Sequence, residues 1–116
     1  MLLPIGGVLE EKAEKYCAFA MEKVARLARH PDHRTSYESR DPEENKWGGA
    51  VRIGDYIFSM SGLPELADEA VMLTTASLYH YVITGNLDAT RTVMNFELGH
   101  ENRYWDPLKI FIGYTR

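Results

Sequence analysis

The sequence predicts an α+β domain: an antiparallel sheet of four to five strands with two amphipathic helices on one face, in the order helix, hairpin, helix, hairpin. Three observations point to it. A Gly54-Asp55 pair separates two runs with strand character, Ala50 to Ile53 and Tyr56 to Ser61. Two long stretches repeat their apolar residues at three- and four-residue spacing. Two late segments, Thr90 to Leu98 and Leu108 to Tyr114, alternate with a period of two and read as strands.

The first helix is expected from Leu9 to Arg29. Ala13, Cys17, Ala20, Val24 and Leu27 form its apolar stripe, flanked by Tyr16 and Met21, while Glu14, Lys15, Glu22, Lys23 and Arg26 fall mostly away from it. Cys17 on that stripe reads as a packing residue, not a nucleophile. Pro31 ends the helix. His30 to Lys46 turns polar and charged, with prolines at Pro31 and Pro42, and is expected as a surface connection with one short edge strand at Arg34 to Arg40. Connections of this length inside a domain are often binding loops.

The central unit runs from Trp47 to Gly85. Gly-Asp tolerates the positive φ of a two-residue turn, and the second strand projects Tyr56, Phe58 and Met60 to one face. Pro64 suits a first helical position, because its missing N–H would be unbonded there. Glu65, Asp68 and Glu69 lie where the positive end of the helix favours carboxylates. Leu66, Ala67, Ala70, Leu73, Thr74, Ser77, Leu78 and Tyr81 make the expected buried stripe, and Gly85 the C-terminal cap. Gly99 to Asn102 is expected as a turn and Tyr104 to Pro107 as an extended or irregular approach to the last strand.

The 116 residues suit a single domain, 1–116, and the net charge of −4 carries no basic cluster, which argues against nucleic acid as the main partner. No run approaches the roughly 20 apolar residues of a membrane span. One cysteine makes no internal disulfide, and Met1 to Val8 lacks the basic start of a secretory signal, so a cytoplasmic location is expected.

Candidate chemistry is sparse. His30-Pro31-Asp32-His33 holds two imidazoles and a carboxylate, but no second cluster stands at zinc-site spacing, so no metal is assigned and a solvated turn is expected. His80 reads as a packing or capping residue, and Ser61-Gly62 before the acidic helix start as a capping junction. No nucleotide loop, nucleophile elbow or paired zinc histidines are present, and no catalytic residue is assigned. Aromatic residues say more. Trp47, Tyr104 and Trp105 fall in loops or strand edges, while Met72 and Tyr79 lie opposite the main stripe of the second helix; such two-sided burial predicts a homo-oligomer.

Gly48-Gly49-Ala50-Val51-Arg52-Ile53, then Ser59-Met60-Ser61-Gly62, then Pro64-Glu65 and Asp68-Glu69-Ala70 resemble the closing segment of GlcG/HbpS-like domains. The resemblance spans roughly 25 residues of turn and capping positions. It implies a profilin-like α+β fold and oligomers, with haem or another small ligand bound by some members; it transfers no ligand-binding residue, so the cofactor stays unknown.

The expected function is small-ligand binding or sensing by an oligomeric domain, with Tyr37, Trp47, His100 and Trp105 as ligand-binding residues between the sheet and the His30 to Lys46 loop. One alternative is a small enzyme using His100 and Glu101, or His33, as acid–base groups at a subunit interface. Another is a structural partner-binding subunit.

Overall fold

The computed structural model describes residues 10–85 and 98–114. Helix α1 spans Glu10–Ala28, two 3-10 turns follow at Ser36–Ser39 and Pro42–Glu44, strands β1 (Ala50–Ile53) and β2 (Tyr56–Ser59) form a hairpin, α2 spans Glu65–Thr84, and α3 spans Trp105–Tyr114.

The hairpin is antiparallel, with Ala50 opposite Ser59 and Ile53 opposite Tyr56. Its turn has Gly54 at φ 58, which glycine adopts without steric cost. Val51 and Ile53 join Ala70, Met72, Leu73, Ala76 and Trp105 in the main core, so one face of the hairpin meets α2. The alternate residues meet α1: the Ser59 hydroxyl donates to the Ala20 carbonyl at 2.9 Å, and Arg52 Nη2 donates to the Leu27 carbonyl at 2.8 Å.

This corrects the expected architecture. Among the described residues the sheet has two strands, not four to five, and the two long helices cover opposite faces of it rather than one. The segment from Leu108 to Tyr114 is helical. Asn102 accounts for that: its Oδ1 accepts from the Tyr104 and Trp105 N–H groups at 3.0 and 3.1 Å, and its carbonyl accepts from Trp105 and Asp106, a side-chain N-cap. Pro107 then stands in the first turn, where no intrahelical N–H is required. Period-two alternation in a short apolar run cannot tell a strand from a buried helix, and the cap decides it. The expected strand Thr90 to Leu98 lies outside the described residues except for Leu98, which packs against the core. The edge strand at Arg34 to Arg40 reduces to a single bridge between Thr35 and Val51, followed by a capped turn.

Both long helices bury part of the expected stripe, Ala20 and Leu27 on α1 and Ala70, Leu73 and Ser77 on α2, but the buried face is rotated to take in polar neighbours. On α1 the inward residues are Ala20, Lys23, Arg26 and Leu27, while Cys17 is exposed. On α2 the buried set is Asp68, Glu69, Ala70, Met72, Leu73, Ala76 and Ser77, while Leu78 is exposed. The 19-residue α1 and 20-residue α2 thus send charged side chains inward, where they bind backbone carbonyls and each other.

Candidate cleft between the helices and the 36–47 segment

Two arginines organise the chain between α1 and β1. Arg26, buried on α1, donates to the Ser36 carbonyl at 2.7 Å, to Ser39 Oγ at 2.8 Å and to the Trp47 carbonyl, while Glu22 one turn earlier receives its Nε. Arg52 on β1 donates to the carbonyls of Leu27, His30, Pro31 and His33 at 2.8 to 3.1 Å and so closes the carboxyl end of α1. Between them a reciprocal cap is formed. Thr35 Oγ1 accepts from the Tyr37 N–H, and the Glu38 carboxylate reaches back to the Thr35 N–H at 3.1 Å. These contacts fix the backbone that carries Tyr37, Arg40 and Trp47.

Those three side chains form one wall of a cleft of about 670 Å³. Lys15, Tyr16 and Phe19 of α1 form a second, and residues 61–66 with the paired Lys23 and Asp68 form the floor, with Arg103 and Tyr104 completing the lining. Three of its aromatic rings already carry a cation over the face. Arg40 stands 4.9 Å from the Tyr37 centroid, Arg103 5.0 Å from Tyr104, and Lys15 5.9 Å from Phe19. Arg40 also pairs with Glu65 through two hydrogen bonds of 2.8 and 2.7 Å, and Glu65 Oε1 accepts the Gly48 N–H at 3.0 Å. Burial alone would raise the Glu65 carboxyl; the guanidinium and the amide outweigh it and hold it below its ordinary value.

At the floor, Lys23 and Asp68 form an ion pair at 3.3 Å in which both side chains are 2% exposed. Lys23 Nζ also donates to the Met60 carbonyl at 2.8 Å, and Asp68 Oδ1 accepts from the Leu63 N–H at 3.1 Å. Burial lowers the lysine pKa more than its partner raises it, and burial pushes Asp68 up to about 6 against the pull of Lys23. Gly49, at φ +126, makes room for this pair: a Cβ there would stand 2.7 Å from Lys23 Nζ and 2.9 Å from Asp68 Cβ.

The expected binding residues separate. Tyr37 and Trp47 line the cleft. His100 stands beside it, stacked on Tyr37 at 4.0 Å between ring centroids, with Nε2 2.8 Å from the fully buried Glu69 carboxylate. Glu69 Oε2 also accepts from Asn102 Nδ2 at 2.8 Å. His100 therefore backs the Tyr37 wall. Trp105 belongs to the core at 2% exposure, as does Met72 at 3%, while Tyr79 stands edge-on to Tyr56 and Phe58 of the hairpin.

The alternative acid–base groups do not converge on the cleft. Glu101 is exposed, and His33 stacks on His30 at 4.6 Å, with neither residue among those lining the cavity. Among the described residues no group of three His, Cys, Asp or Glu side chains is placed to hold a metal ion, and no helix is long and apolar enough to cross a membrane. Side chains that sequence reasoning missed include Lys23, Arg40, Glu65 and Asp68. A usable signal was present in Thr35-x-x-Glu38, a capping-box spacing inside the supposed loop.

The fold and cleft define an α+β domain in which a short hairpin lies between two helices and a charged aromatic cavity opens beside it. Comparison with known proteins returns no matching family model, no matching curated protein and no matching solved structure.

Proposed function

We propose that the cleft binds a small organic anion with a planar or apolar body. The observation that carries this is a charge imbalance among its walls. Lys15, Lys23, Arg40 and Arg103 line it against Glu65 and Asp68, and both carboxylates are already held by Arg40 and Lys23. Lys15 and Arg103 have no carboxylate partner among the described residues, although the chain as a whole carries a net charge of −4. Tyr16 and Trp47 supply aromatic surface with no cation over it among the described residues. Pockets of 300–1,000 Å³ with apolar walls and a few polar groups are typical for small ligands.

The GlcG/HbpS-like resemblance agrees with a small-ligand domain, and self-association remains part of the proposal through the exposed Leu78, Val82 and Ile83 of α2. Calorimetric titration with 3-phenylpropionate and with its neutral amide tests the reading. The acid binds and the amide does not; Arg103→Gln and Lys15→Gln each weaken the acid about 5- to 10-fold, near 1 kcal/mol for a charge-assisted contact at a screened site. Equal affinity for acid and amide would refute it.

A further inference from the structure

We propose that the ligand of this cleft is a dianion on an aromatic body, a phosphate monoester or a dicarboxylate rather than a monocarboxylate. The inference deepens the anion-binding reading and rests on it, adding the charge that the guest must carry.

The four cations that line the cleft are held in two ways. Lys23 and Arg40 each meet a carboxylate, Asp68 and Glu65 in turn. Lys15 and Arg103 are placed by neutral rings instead. The Lys15 ammonium stands 5.9 Å from the Phe19 centroid and the Arg103 guanidinium 5.0 Å from the Tyr104 centroid, while Arg103 Nη2 donates to the Tyr104 hydroxyl at 3.1 Å. A ring face orients a cation without cancelling its charge.

Lys15 belongs to α1 and Arg103 to the turn before α3, so two elements distant in sequence each bring one uncompensated charge to a single cavity of about 670 Å³. The Lys23–Asp68 pair adds no net charge whichever partner holds the shared proton, and Arg40 is cancelled by Glu65. The lining therefore keeps two positive charges inside a chain whose net charge is −4. A monocarboxylate answers one of them and a dianion answers both. Tyr16 and Trp47, which line the same cavity, supply the surface for an aromatic body. Both cations are exposed, so each added contact is screened and contributes up to about 5-fold in affinity.

The test is calorimetric titration of the folded full chain at pH 7.5 and low salt with 3-phenylpropionate, phenylsuccinate and phenyl phosphate, the last two both dianions at that pH. The expected result is that at least one dianion binds 5-fold or more tightly than 3-phenylpropionate. Preference for phenyl phosphate alone places Lys15 and Arg103 on one head group; preference for phenylsuccinate alone places them on two separated carboxylates. Lys15→Gln/Arg103→Gln brings the three probes to within about 2-fold of one another. Lys12→Gln, which removes an exposed cation outside the lining, leaves their ratios unchanged. Equal affinity for the monoanion and both dianions would overturn the proposal and leave anion binding standing, as would a preference that survives the double substitution or is lost equally in Lys12→Gln. Failure of all three probes to bind would overturn both readings.

Discussion

Lys23→Met removes the ammonium at the cleft floor, keeps the length of the side chain, and leaves the Asp68 carboxylate buried without its counter-charge. Breaking a buried pair from one side costs about 3–5 kcal/mol. Asp68 keeps the Leu63 N–H at 3.1 Å, which places the loss at the lower end, about 3 kcal/mol once Asp68 is ionised in both proteins. The pH dependence follows from the direction of the Asp68 shift. Burial raises its folded-state pKa from 3.8 to about 6, and removing Lys23, which opposes that rise, moves it higher. A raised carboxyl contributes stability that is complete below the unfolded value and is lost as pH rises through the folded value, at about 1.4 kcal/mol per pH unit in between. The variant's penalty therefore shrinks toward zero near pH ~5, where folded Asp68 is neutral in both proteins, grows by about 1.4 kcal/mol per pH unit above the parent's folded value, and reaches about 2 kcal/mol near pH ~7.5. Urea denaturation followed by circular dichroism at the two pH values measures it, and Lys23→Met/Asp68→Asn should recover most of the loss at the higher one. A penalty equal at both pH values, or under about 1 kcal/mol at the higher one, would show that water reaches the pair and that the burial argument is wrong.

Two further expectations concern the framework of the cleft. Arg52→Met leaves four carbonyls without their charged donor at the end of α1; since the partly exposed site lets water replace some of them, the loss is about 2–4 kcal/mol, read from the urea midpoint. Asn102→Ala removes the cap of α3 and a donor to the buried Glu69 carboxylate, at about 2 kcal/mol, and hydrogen exchange accelerates at the Tyr104 amide, which loses its acceptor, more than at Trp105, which keeps the backbone carbonyl of residue 102.

The hairpin and the two long helices were legible because each rests on local signals: the Gly54-Asp55 turn, the proline before α2, and apolar spacing on both helices. Orientation was not. Helical periodicity ranks apolar residues, so on α1 it selected Cys17 and passed over Lys23 and Arg26, whose burial depends on carbonyls contributed from Met60, Ser36 and Trp47 far along the chain. The same applies to Asp68 and Glu69, read as capping carboxylates of the helix start although their partners are Lys23, His100 and Asn102. Helix α3 was misread for a different reason. Pro107 after Trp105-Asp106 suggested an extended approach, when Asn102 three residues before Trp105 carried the stronger N-cap signal. Of the expected binding residues, Tyr37 within the polar segment and Trp47 at its end reach the cavity; Trp105 does not, because an indole in the first turn of an inward-facing helix becomes core.

The clasp made by Arg26 has a kinetic consequence. It ties the segment bearing Tyr37 and Trp47 to α1 at both ends, through the carbonyls of Ser36 and Trp47, so the mouth of the cavity is set before any guest arrives. For a solute bound as proposed, entry and departure then require no rearrangement of this segment.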